Sequence, residues 1–161
     1  MAIIEVGIGG EYDCTNIIER PVVTGVTRLG LDHTSLLGTT IRDIAWHKAG
    51  IMKQDVVCFI DPNQKDEALE VINQRGQDIG SYPSLARPLT DLQWPSGSPP
   101  RLGLYGEVQK NNASVALALA SHFLTVTRLG EAERGGVITE AIVQGLERTE
   151  WPGRSQTVVK D

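Results

Sequence analysis

Along the first half of the chain, short apolar runs alternate with segments whose apolar residues recur every three or four positions. Ala2–Val6 is apolar and partly β-branched and is followed by the glycine-rich GIGGEYDCTN, the pattern of a buried strand ending in a loop. Residues 21–27, PVVTGVT, form a second such run, with proline at its first position, where a missing N–H is harmless. From Thr40 onward, Ile41, Ile44, Ala45 and Lys48 share one helical face, and the helix is expected to end near Gly50. Residues 56–60 predict a third strand and 65–77 a second helix. Strand, strand, helix, strand, helix predicts an α/β fold, a mostly parallel sheet flanked by helices on crossover connections.

The proline-rich stretch from Ser81 to Pro100 lacks periodicity and predicts a surface-running linker, with short strands at Tyr82–Leu85 and Arg101–Tyr105. Val108–Thr127 is strongly helical, and its nearly all-apolar second half predicts burial on most sides. After a polar turn over 129–135, residues 137–146 read as an amphipathic helix with Ile138, Ala141, Ile142 and Gly145 on one face. A last strand is expected at 156–159.

Composition narrows the classes. The 161 residues suit one domain with a proper core, and 40% apolar with 22% charged residues is ordinary for a globular protein. A net charge of -5 without basic runs argues against a nucleic-acid partner. No apolar run approaches the roughly 18 residues of a transmembrane helix. Two cysteines without C-x-x-C spacing fit a reducing compartment.

Several residues are placed for chemistry. Lys48 falls on the apolar stripe of its helix; a lysine there pairs with a carboxylate, loses its proton and becomes nucleophilic, or runs its stem along the stripe with the amine in water. A deprotonated amine can take up carbon dioxide as a metal-binding carbamate. Glu5 is expected at the C-terminal end of a buried strand, where ligands bind in open parallel sheets, and needs a metal or an arginine there. His33, preceded by Asp32, follows the second strand and reads either as a ligand or as a surface histidine. The G-x-G-G run lacks the third glycine of a dinucleotide fingerprint, so its glycines are expected to let the backbone pass close to a ligand or another loop.

Taken in order, EVGIGGEYDCTN, LGLDHTSLLG, IAWHKAGIMK, LYGEVQKNNA and TEWPGR cover almost the whole chain and resemble the folylpolyglutamate synthase family of Mur-ligase-like, ATP-dependent acid–amino-acid ligases. The wording around CTNII and WHKAGIMK looks closest to eukaryotic, fungal members. The resemblance implies a Mur-ligase central-domain fold of the P-loop NTPase type. It implies a reaction in which ATP phosphorylates the γ-carboxylate of a tetrahydrofolate and L-glutamate displaces the phosphate. It further implies Glu5 and His33 as magnesium ligands, Lys48 as a carbamoylated lysine serving a second magnesium, and Asn112 and Arg154 as ATP contacts. A monovalent cation is a further candidate cofactor, and the setting is expected to be cytoplasmic or mitochondrial. The family's glycine-rich phosphate loop and its C-terminal, glutamate-binding domain find no counterpart in residues 1–161, so the sequence is expected to be part of the central domain and inactive alone. Val108 stands where many members have histidine. Dihydrofolate synthase, or a non-catalytic folate- or metal-binding fragment, is the alternative.

Overall fold

The computed structural model describes residues 1–127 and 138–153. The turn expected at 129–135, Arg154 and the strand expected at 156–159 lie outside the described residues. The chain divides into two compact units, Met1–Ala86 and Arg87–Asp161.

The first unit is built on three parallel strands, β1 (Thr24–Val26), β2 (Val57–Ile60) and β3 (Tyr82–Leu85), in the order β1-β2-β3. Val26 lies opposite Ile60, and Ile60 opposite Leu85. Pro83 is accommodated because β3 is an edge strand. The β1-to-β2 connection carries α1 (Thr34–Leu37) and α2 (Ile41–Ala49); α3 (Asp66–Ile79) joins β2 to β3. This is the expected α/β arrangement.

Local chemistry sets the helix ends. Thr40 and Asp43 form a reciprocal capping box at the start of α2, and the Thr40 hydroxyl lowers the Asp43 carboxyl below its ordinary pKa. The Gly80 N–H closes the C-terminal end of α3 in a left-handed conformation. Ile41, Ala45 and Ala49 of α2 and Ala68 and Ile72 of α3 meet Val26, Cys58 and Ile60 of the sheet in one core. Each large aliphatic side chain fully buried there contributes about 1.5–3 kcal/mol. Burial also pushes the Cys58 thiol up to about 11.

Residues 1–6 correct the sequence expectation. They form no strand, and Met1, Ile3, Ile4 and Glu5 are exposed. An apolar run becomes a strand only when a neighbour pairs its N–H and C=O groups, and none of the three strands pairs with residues 1–6.

The second unit holds α4 (Glu107–Thr127) and α5 (Glu140–Arg148). The stretch expected to run over the surface instead supplies its core: Leu89 and Trp94 are buried with Ala113, Leu117 and Ile138. A short 3-10 turn at Leu89–Asp91 lets the Trp94 indole N–H reach the Leu89 carbonyl at 2.7 Å, so the large ring is buried with its polar atom satisfied. Residues 101–105 form no strand. In α4 the buried positions, Ala113, Ser114, Val115 and Leu117, lie in the first half, whereas the apolar second half is half-buried or exposed for want of a covering surface among the described residues. The packed face of α5 is Ile142, Val143 and Leu146 instead of Ala141 and Gly145, because the larger side chains reach the Leu89–Trp94 cluster.

Candidate functional site

Lys48 stands in the last turn of α2, on the face that buries Ile41, Ile44 and Ala45, and is itself half-buried. His33 is the residue before α1; it is exposed and held in the left-handed region at φ 50° and ψ 37°. Its N–H donates to Asp32 Oδ1 at 2.8 Å, and its Nε2 lies 3.6 Å from Asp32 Oδ2. Glu5 is exposed in the segment without regular structure, which corrects the expectation of a buried carboxylate at a strand end. Asn112 lies in α4 of the second unit, half-buried, its amide donating to Gln109 Oε1 at 3.1 Å. Arg154 lies outside the described residues.

Among the described residues no side-chain hydrogen bond or ion pair joins Glu5, His33 and Lys48 to one another; the glycine loop that follows Glu5 packs on the helices that come after His33. A β-carbon at Gly9 would come within 2.8 Å of the Leu37 side chain and 3.7 Å of the His47 β-carbon. The loop therefore lies against α1, which opens just after His33, and against the last turn of α2, which carries Lys48. One residue on, a β-carbon at Gly10 would stand 2.7 Å from the His47 carbonyl oxygen, and the Glu11 N–H donates to that oxygen at 2.9 Å. Close approach to another backbone is what the G-x-G-G run serves.

Residues not singled out from the sequence hold this loop. Asp13 accepts the Gly7 and Ile8 N–H groups on Oδ2, both at 3.0 Å, and the Thr15 hydroxyl and N–H on Oδ1 at 2.6 and 2.9 Å. The Thr15 hydroxyl, with these amides, lowers the Asp13 carboxyl to about 2. Glu11 pairs with Arg75 of α3, whose guanidinium also donates to the Trp46 carbonyl at 2.6 Å and lies 3.8 Å over the Trp46 ring. Tyr12 and His47 complete the aromatic cluster with Trp46. Asn16 donates to the Glu11 and Gly50 carbonyls, both at 3.1 Å. An aspartate two residues before a threonine is a readable capping signal; the reach of Arg75 across 64 positions is not.

Glu5 offers the hard oxygen that magnesium takes, and His33 one nitrogen. Among the described residues no group of three or more His, Cys, Asp or Glu forms a metal cluster. Magnesium does not require one, because it keeps several waters and uses one or two carboxylates beside substrate phosphates, so the donor set is chemically compatible with it.

No family model matches the chain. It is 45% identical to the mitochondrial folylpolyglutamate synthase of Homo sapiens over 98% of its length and 40% identical to the folylpolyglutamate synthase of Saccharomyces cerevisiae, strain YJM789, over 98%. In both cases it spans 29% of the relative. The solved structure of an FPGS–AMPPCP–folate complex superposes with a TM-score of 0.77 at 33% identity, covering 94% of this chain and 39% of that one. In sequence and fold alike, the chain belongs to the folylpolyglutamate synthase family, a segment of whose members' length it spans.

Proposed function

We propose that this chain is part of the central, ATP-using domain of a folylpolyglutamate synthase, with the phosphate-loop region and the glutamate-binding domain belonging to other parts of the same protein. The reaction is the addition of L-glutamate to the γ-carboxylate of a tetrahydrofolate. A carboxylate oxygen attacks the γ-phosphorus of ATP and ADP leaves; the glutamate amine then attacks the acyl phosphate carbon and phosphate leaves. The observation that carries the reading is 45% identity to a folylpolyglutamate synthase across nearly the whole chain. AMPPCP and folate in the complex of the structural relative support ATP and a folate as ligands here.

Glu5 and His33 would hold one magnesium ion and Lys48 a second, with Asn112 and Arg154 contacting ATP. Bound magnesium supplies neutralising charge to phosphate oxygens. In carbamate formation the Lys48 amine, once neutral, would form an N–C bond to carbon dioxide and release a proton, leaving an anion. Glutamate, and a cytoplasmic or mitochondrial setting, complete the proposal; two free cysteines suit a reducing interior. No helix among the described residues is long and apolar enough to cross a membrane.

The test is mass spectrometry of the folate pool after protein containing this segment meets tetrahydrofolate, L-glutamate and Mg-ATP. Folate lengthened by one glutamate is expected, falling by about 100-fold in Lys48→Ala and partly restored by short-chain carboxylates. An unchanged rate in Lys48→Ala, or no glutamate addition by any protein containing the segment, would overturn the reading.

A further inference from the structure

We infer that Gln64 is the positioning residue for His33, acting as a surrogate peptide unit that extends the β1–β2 ladder into the histidine loop; this rests on the proposed role of His33. The ladder ends where Val26 pairs with Ile60, and the next bond runs from the Asp61 N–H to the Val26 carbonyl at 2.9 Å. Beyond it β1 leaves the sheet, and Thr27 and Leu29 need partners for their backbone groups. The Gln64 carboxamide supplies both. Its Nε2 donates to the Thr27 carbonyl at 2.8 Å, and its Oε1 accepts the Leu29 N–H at 3.0 Å. A primary amide carries the same donor and acceptor as a peptide bond, so it continues the pattern without a strand residue.

The carboxamide is aimed by its own turn. Asp61 is fully buried at the end of β2, and its Oδ1 accepts the Asn63 N–H at 2.8 Å, curling the chain so that Gln64, 9% exposed, points back at β1. On the far side of the bonds Leu29 is buried in the core, while Gly30, Leu31, Asp32 and His33 are exposed. His33 itself adopts a left-handed conformation that a non-glycine residue keeps only when its flanks are held. One flank is α1, anchored by buried Leu37; the other is Leu29. The two Gln64 bonds are the side-chain ties that hold that second flank. Removing them would leave the core and the strands in place and let the imidazole wander.

The experiment is NMR of the three histidine rings in this chain and in Gln64→Met, which keeps the shape and loses both bonds. Gln64→Glu, which keeps the acceptor, is the second variant. Without metal, both are expected to move the His33 ring signals, and Gln64→Met, which alone loses the acceptor, to speed Leu29 amide exchange at least ten-fold, with His47, His122 and the strand amides unmoved. Titrated with Mn2+ alone as the probe, the concentration that half-broadens the His33 ring is expected to rise about ten-fold. Unmoved His33 signals in a folded variant overturn the inference, as does a wild-type Leu29 amide that exchanges like an open loop, a result that needs no variant. If wild-type His33 ignores Mn2+, the metal reading fails, and the metal-free arm still decides on Gln64.

Discussion

The segment that follows Glu5 and the segment that carries His33 flank the same pair of helices, α1 and α2, and they are held very differently. Residues 7–16 are tied at nearly every step, by the four bonds to Asp13, by the Glu11 N–H on the His47 carbonyl, by the Glu11–Arg75 pair and by Asn16 on the Gly50 carbonyl. Residues 27–33 hang from Gln64, and a β-carbon at Gly30 would meet nothing within 4 Å. The first segment carries its own conformation and acts as a platform for the end of α2 that holds Lys48. The second has few internal bonds, so it opens locally at small cost.

Substitutions can break that contrast. The largest effect is expected from Gly10→Ala, because the new β-carbon would sit 2.7 Å from the His47 carbonyl oxygen, a backbone atom that cannot rotate away. Urea unfolding should show a loss of about 2–3 kcal/mol. An unchanged midpoint would mean that the loop does not rest on α2 as described.

Arg75→Met comes next. It keeps the stem over Trp46 and leaves Glu11 without its partner. The Arg75 and Glu11 side chains are 11% and 27% exposed, so the loss should fall below that of a fully buried pair, at about 2 kcal/mol. A double-mutant cycle with Glu11→Gln should show coupling; simple additivity would demote the pair to a surface contact.

Asp13→Asn removes the anion that gathers the amides of residues 7, 8 and 15 and should lower the urea midpoint by less than Arg75→Met does. The same group sets a pH signature. Its folded pKa of about 2 lies below the ordinary 3.8, so its contribution is complete above pH 3.8 and is lost as pH falls through about 2. Exchange of the Gly7 and Ile8 amides should accelerate relative to the strand amides across that window in the native protein and show no such step in Asp13→Asn.

Gly30→Ala completes the series with the smallest effect, within about 0.5 kcal/mol. A loss as large as that of Gly10→Ala would erase the difference between the two segments.

What was legible in the sequence is what neighbouring residues decide. The recurrence of Ile41, Ile44 and Ala45 after Thr40 announces α2 and its buried face, and Gly50 its end. The strand at Tyr82–Leu85 and the span of α4 were equally readable, being local features of composition. So was the close approach served by the G-x-G-G run, because a glycine cluster reports missing space wherever the neighbour comes from. The tertiary structure alone decided the rest. Ala2–Val6 has a strand's composition without a paired edge, and Leu89 and Trp94 lie in an aperiodic stretch that nevertheless forms a core. The second half of α4 has apolar side chains that the described residues cover only in part, and the carboxamide of Gln64 spans 35 and 37 positions to finish another strand's hydrogen bonds. Periodicity records how a residue is placed within its own element; burial and pairing depend on what stands across from it, and that partner is chosen by the folded chain.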